Sequence, residues 1–388
     1  MLVAERVEPV VAPPPGNPRF PLVDGLRAMA ALSVLLFHAA FFSGGFDSAW
    51  WGDVAGRFEI GVAVFFAISG FLLYRPYFAA HYAERPPPRA RDFLRRRVLR
   101  IVPAYWVALT VLAIYPGLPG MFGDDWWVFY GFGQIYSQAT FGDGIPQAWT
   151  LCVEVSFYLM LPAYAFAVRQ AGRRLGRTGR LTLELTVLAV LSAACLVFRV
   201  AIIGTGPSVL PFTLLGLFDW FAAGMALAIA SVWLSQRERP PGWAVGIGRR
   251  PGVCWTLALA VFLLLVAVVP APSTQVPQSE LVFHAINVLS PVVAVLLTLP
   301  AIVGDRAGGA VRRFLALPFM AWLGLVSYGL YLWQADLLNW FAARGVEGFL
   351  PLLAIGAAAT VAAAALSFYF VERPLLRFKD VRWWRRAG

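Results

Sequence analysis

Charge is scarce in this chain. Asp, Glu, Lys and Arg make up 14% of its 388 residues, against about a quarter in a soluble domain. Lysine is nearly absent: of 32 basic residues only Lys379 is not arginine. Cysteine and histidine are sparse too, with three of each. Cys152, Cys195 and Cys254 are scattered through apolar runs, an odd and dispersed set that gives neither a disulfide framework nor a metal cage. They read as small apolar helix residues. There is no His-Glu-x-x-His motif and no serine elbow flanked by glycines, and Gly131 and Gly133 lack the strand–helix setting of a dinucleotide site. His81 falls in a loop and His284 at the start of an apolar stretch; both read as incidental. The segment Met1–Phe20 lacks the basic start and cleavable apolar run of a signal peptide. It reads as a short disordered cytoplasmic tail.

Apolar residues fill what charge leaves: 60% of the chain is hydrophobic, which excludes an ordinary cytosolic domain, a disordered chain and a disulfide-stapled scaffold. Ten stretches are long enough to span a bilayer as helices, at 22–42, 59–80, 98–116, 147–168, 182–203, 209–234, 253–270, 281–302, 317–341 and 348–372. A span takes about 20 residues. The apolar segment Trp126–Ser137 is too short for that and is expected at the interface or re-entering it. The expected fold is all-α, a polytopic transmembrane bundle of about ten spans.

The net charge of +11 invites a nucleic-acid partner, but its distribution argues for topology. The two ends and every second loop together carry 26 basic residues, and the loops between them carry two, Arg57 and Arg344. By the positive-inside rule both termini are cytoplasmic. No nucleic-acid partner is expected. Three parts follow: a cytoplasmic tail at 1–20, a membrane domain at 21–374 and a basic cytoplasmic tail at 375–388.

Ionisable groups inside spans are costly and are functional candidates by default. The first span carries Asp24, Arg27 and His38. Eleven residues turn a helix 20° past three full circles at 100° per residue, so Arg27 and His38 share a stripe about 16 Å apart along the axis. Asp24 lies one turn before Arg27 and can pair with it. Arg27 falls near the cytoplasmic face and His38 near mid-membrane, where it is either a structural donor or a catalytic group. Arg97 and Arg100 share a face of the third span. Arginines at that surface suit a phosphorylated ligand, and they equally suit topology or anionic lipid. Glu154 lies in the outer half of the fourth span and needs a partner. Arg199, Asp219 and Asp336 are further charges within spans, as open to structural pairing as to catalysis.

Six segments in order resemble the integral-membrane acyltransferase-3 family. They are Leu22-Val-Asp-Gly-Leu-Arg27 with His38, Val64-Phe-Phe-Ala-Ile-Ser-Gly-Phe71, Arg96-Arg97-x-x-Arg100-Ile-x-Pro103-x-Tyr105, Trp149-x-x-x-x-Glu154-x-x-Phe157-Tyr158, Ser327-Tyr-x-Leu-Tyr-Leu-Trp333 and Val371-Glu-Arg-Pro374. Thr150 stands where the family commonly has serine and keeps the hydroxyl. Val155 replaces a second acid, and Gln334 replaces a histidine, which removes a second histidine role. The chain stops just after the tenth stretch, so the appended extracytoplasmic esterase-like domain of longer relatives is not expected.

The resemblance implies O-acylation at the cell's inner membrane. The donor is acyl-CoA, usually acetyl-CoA, entering from the cytoplasm as a substrate, with no bound cofactor and no metal. The acceptor is a hydroxyl of a saccharide, glycolipid or macrolide-like molecule, and membrane lipids are the other partners. His38 would take the acceptor's proton, since imidazole suits a general base at neutral pH. Glu154 or Asp24 would orient or balance it. Arg27, Arg96, Arg97 and Arg100 would hold the phosphates of CoA. Ser69, Thr150, Tyr105, Tyr331 and Gln334 would support the site. An acyl-histidine intermediate stays open. The alternative of another class is a transporter or flippase, though no paired, interrupted halves are visible.

Overall fold

The computed structural model of the protein describes residues 20–47, 49–203, 208–269, 279–303 and 308–379. Most of the tail expected at 1–20 and the end of the one at 375–388 lie outside these. Ten long helices follow one another: α1 (Pro21–Phe42), α2 (Gly61–Tyr82), α3 (Ala90–Ile114), α4 (Trp149–Ala171), α5 (Arg177–Ile202), α6 (Leu214–Ser235), α7 (Gly252–Val268), α8 (Glu280–Ile302), α9 (Pro318–Ala342) and α10 (Phe349–Ser367). There is no strand among the described residues. The fold is an all-helical polytopic bundle.

Eight helices are long and apolar enough to cross a membrane, and α7 with the short helix Gly242–Arg249 before it makes a ninth candidate, bent by 83° between the two. The expected ten is therefore eight or nine by apolarity among the described residues. The helix that falls short is α9. It is 25 residues long, but Ser327, Gln334 and Asp336 are buried on it, and it lies inside the bundle rather than against lipid. A helix shielded by its neighbours can carry polar side chains that a lipid-facing one cannot.

Start signals are local. Pro21 and Pro318 occupy the first turn of α1 and α9, where a missing N–H costs nothing. Ser279 caps α8 by accepting the Val282 N–H at 3.3 Å. The third helix begins at Ala90, eight residues before the apolar stretch that announced it. Hydropathy marks only the part that lipid or core must cover, and an arginine-rich run after Pro86–Pro88 is itself a good helix former.

Packing is closest where side chains are smallest. α9 runs along α1 and α10, and α2 along α1 and α6. At Gly324 an added Cβ would stand 2.0 Å from the Asp24 carbonyl oxygen, and at Gly224 it would stand 1.8 Å from that of Ala67. Small residues at such crossings let backbones approach, as in membrane bundles generally. Two buried polar pairs lock other elements. Fully buried Arg199 of α5 holds Asp219 of α6 through two hydrogen bonds of 2.8 and 2.7 Å. His81 is not in a loop: it ends α2, 5% exposed, with Nδ1 2.8 Å from Glu184 of α5. The last turn of a helix continued past the apolar run and brought it inside.

Candidate active site

α1, α2, α3, α4 and α9 line a partly open cavity of about 80 Å³. One end is polar. Arg27, Arg97 and Arg100 line it together with Ser69, Glu154 and Tyr158. The Arg27 Nε donates to the Ser327 hydroxyl at 3.3 Å, which in turn donates to the Gly324 carbonyl at 2.8 Å. The Ser69 hydroxyl donates to the Glu154 carboxylate. Glu154 lies within electrostatic reach of Arg27 and Arg97. The Arg97 Nε is buried without a hydrogen-bond partner among the described residues. Because α3 starts early, Arg97 and Arg100 sit seven and ten residues into the helix, about 10 and 15 Å along it. Both are half-buried and face the cavity.

The cavity runs lengthwise. On α2 it extends from Leu73 to Val62, eleven residues or about 16 Å of helix. Thr150 and Tyr331 line it at the far end, their hydroxyls 2.8 Å apart. Beside Val62, an added Cβ at Gly61 would meet the Ala30 carbonyl and Val34 of α1. His38 is the next turn of α1 beyond Val34.

His38 stands four residues before the end of α1, so it is nearer that end than the helix middle. Its Nδ1 lies 3.0 Å from the Val34 carbonyl oxygen. A carbonyl only accepts, so Nδ1 carries the hydrogen and Nε2 keeps the lone pair. Phe37 and Phe42 flank the ring. Neither expected carboxylate partner is there. Glu154 is engaged with Ser69, and Asp24 is fourteen residues back on α1, about 21 Å away along the axis, within reach of Arg27. Both acids belong with the arginines: helix register places Asp24 at the other end of α1, and Glu154 meets Arg27 and Arg97 from α4.

Other expected members divide. Arg96 does not line the cavity; it faces Tyr77. Tyr105 is buried and donates to the Phe129 carbonyl at 2.9 Å, tying α3 to the short helix Trp126–Tyr130. Gln334 is fully buried, with neither amide atom hydrogen-bonded among the described residues. Asp336 accepts from Gln147 at 3.0 Å, a structural contact. Three polar lining residues, Ser327, Tyr158 and Tyr328, stand in the motifs but were assigned no site role. For Tyr158 one was findable, since it follows Glu154 by one turn. Ser327 touches Arg27 across 300 positions, a contact that no local spacing shows.

An acyltransferase-domain family model matches residues 20–372. The chain belongs to this acyltransferase family. It is similar to the peptidoglycan O-acetyltransferase OatA of Listeria monocytogenes, 26% identical over 92% of this chain and 55% of the relative. A putative O-acetyltransferase of Staphylococcus aureus is 22% identical over 94% of this chain and 58% of its own length. The chain thus spans about half the length of these curated relatives. Nodulation protein 10 of Rhizobium leguminosarum bv. viciae is 25% identical over 92% of this chain and 93% of that protein. No solved structure matches.

Proposed function

We propose that the protein is a membrane O-acyltransferase that moves an acyl group, acetyl in the simplest case, from cytoplasmic acyl-CoA to a carbohydrate hydroxyl. The observation that carries this is the lengthwise cavity, with three arginines at one end and Thr150 and Tyr331 at the other; His38 stands outside its lining, farther along α1 than Arg27. A CoA thioester has that polarity: phosphates at one end, a long uncharged arm, a reactive carbonyl at the tip. Guanidinium groups grip phosphate by paired N–H donors. The arm lies along the apolar wall of α2, and the thioester reaches toward His38.

In this reaction the Nε2 lone pair takes the proton of the acceptor hydroxyl as its oxygen attacks the thioester carbonyl. The tetrahedral adduct collapses, the carbon–sulfur bond breaks, and the CoA thiolate leaves and regains a proton from the imidazolium. The Val34 carbonyl holds the ring in the tautomer that this needs. The similarity to a peptidoglycan O-acetyltransferase of Listeria supports a saccharide acceptor. The cytoplasmic termini and the inner membrane belong to the same proposal, since the donor is a cytoplasmic metabolite and the arginine count points that way.

The test is thioester consumption by the purified protein in nanodiscs, followed as free thiol, with an oligosaccharide present and absent. Acceptor-dependent release of CoA with acylated saccharide by mass spectrometry is expected. A carrier would move substrate without consuming thioester, and that result would refute the proposal.

A further inference from the structure

A second cavity opens at the end of the bundle where α1 starts and α2, α6 and α8 finish. It measures about 700 Å³ and shares no lining residue with the first. Arg75 lines it from α2, two residues beyond Leu73 of the first cavity. Two residues turn a helix by about 200°, so the cavities lie on opposite faces of α2. The loops at this end are the arginine-rich ones.

The walls are braced. Arg75 is 6% exposed; its Nε donates to the Ser231 hydroxyl at 3.2 Å, and its guanidinium stands over the Phe20 ring, 5.3 Å from the centroid. Ser231 accepts in that bond and keeps its own hydrogen to donate. Both line the cavity, together with Ser235 of α6 and the exposed Arg249. One wall is the short helix Gly242–Arg249, turned 83° from α7, with Trp243 exposed. A short helix set crosswise with an outward tryptophan is an element of a membrane–water interface. Fully buried Arg312 pins it, donating to the carbonyls of Gly248 at 2.9 Å, Pro300 at 3.0 Å and Val303 at 2.7 Å. Gly248 and Val303 line the cavity. The carbonyls that end the short helix and α8 are thus satisfied from behind, and the space between them stays open. Leu234, Val245 and Ile302 add apolar surface.

We propose that this cavity binds a phosphate ester, and that its ligand is the headgroup of an anionic phospholipid from the leaflet at this end. Guanidinium groups and a hydroxyl hydrogen suit phosphate oxygens, which accept. The apolar wall suits the first methylenes of an acyl chain. The crosswise helix places the site at the depth of the headgroups, and basic pockets between spans take such headgroups. A soluble phosphate ester offers the same charge and has no use for the apolar wall. The site is separate from the first cavity and does not rest on the proposed acyl transfer.

The experiment titrates the full protein, purified in neutral detergent, with dioleoyl phosphatidylglycerol, dioleoyl phosphatidylcholine and glycerol 3-phosphate. Bound lipid is read by native mass spectrometry and stabilisation by thermal melting. Phosphatidylglycerol should bind roughly tenfold more tightly than phosphatidylcholine. Arg75→Gln should weaken it roughly tenfold, as for a buried charge-assisted contact. Arg249→Gln should weaken it roughly two- to fivefold, because that charge is exposed. Arg173→Gln removes an equal charge from an exposed loop position outside the cavity and should leave the affinity alone. Should Arg75→Gln fail to fold, Arg249→Gln against Arg173→Gln decides. Displacement of the lipid by glycerol 3-phosphate at matching concentration upholds the phosphate site and overturns the lipid as its ligand. Equal affinity for the two lipids, or losses at Arg75 and Arg249 no larger than at Arg173, overturns the site itself.

Discussion

At the scale of single residues, the proposed chemistry concentrates on one imidazole and two arginines. His38→Ala should reduce acyl transfer by at least the ~10²–10⁴ typical of losing a general base, while the protein still inserts and purifies. More than about a tenth of wild-type activity left would rule His38 out as the base. Arg97→Ala and Arg100→Ala should each raise the KM for acyl-CoA roughly ten- to hundredfold, from about 1.5–3 kcal/mol per charge-assisted phosphate contact. The KM for the acceptor should hardly move. Lysine should rescue only in part, since it keeps the charge and loses the paired donors. Full rescue by lysine, or unchanged donor dependence at normal expression, would make them topology charges. The Arg27–His38 stripe was legible in spacing alone, because both lie on one helix. The partners of His38 were not: the nearest acids in sequence and in motif, Asp24 and Glu154, are held among the arginines, and the ring's companion is a backbone carbonyl.

Elements are held by close crossings and by buried ion pairs, and each kind can be tested. Gly224→Ala puts a methyl group into the Ala67 backbone where α6 crosses α2. Overpacking of this kind costs about 1–3 kcal/mol, so a lower melting temperature and reduced folded yield are expected on size exclusion. Asp219→Ala leaves Arg199 charged and fully buried on α5. Breaking a buried pair on one side costs about 3–5 kcal/mol, whereas replacing both members by apolar residues is often tolerated. Asp219→Leu with Arg199→Met should therefore regain most of the stability lost by Asp219→Ala. If activity falls in the single variant without loss of stability, the pair has a role beyond the fold. Element positions were mostly readable from apolar runs. The start of α3 was not, because a helix continues through charged residues that hydropathy ignores. Those eight residues set Arg97 and Arg100 within α3 rather than at its start.

For the whole molecule the testable quantity is topology. Reporter fusions at Gly388 and Gly123 should report opposite sides of the membrane, with Gly388 cytoplasmic. Finding both on one side would refute the ten-span order that the arginine asymmetry implies. Composition and periodicity by themselves determined that this chain is a helical membrane protein, roughly where its helices lie, and which charges are anomalous enough to matter. These are local properties: transfer free energy acts on each stretch separately, and helix pitch relates residues a few turns apart. The motif order carried the family as well. Only the tertiary structure decided which anomalous charges meet. Ser327 reaches Arg27 because α9 runs beside α1, with Gly324 admitting the Asp24 backbone. Arg199 and Asp219 were paired off as structure. Contacts across hundreds of residues depend on how helices pack, and packing is a property of all the faces at once, which no single stretch of sequence encodes.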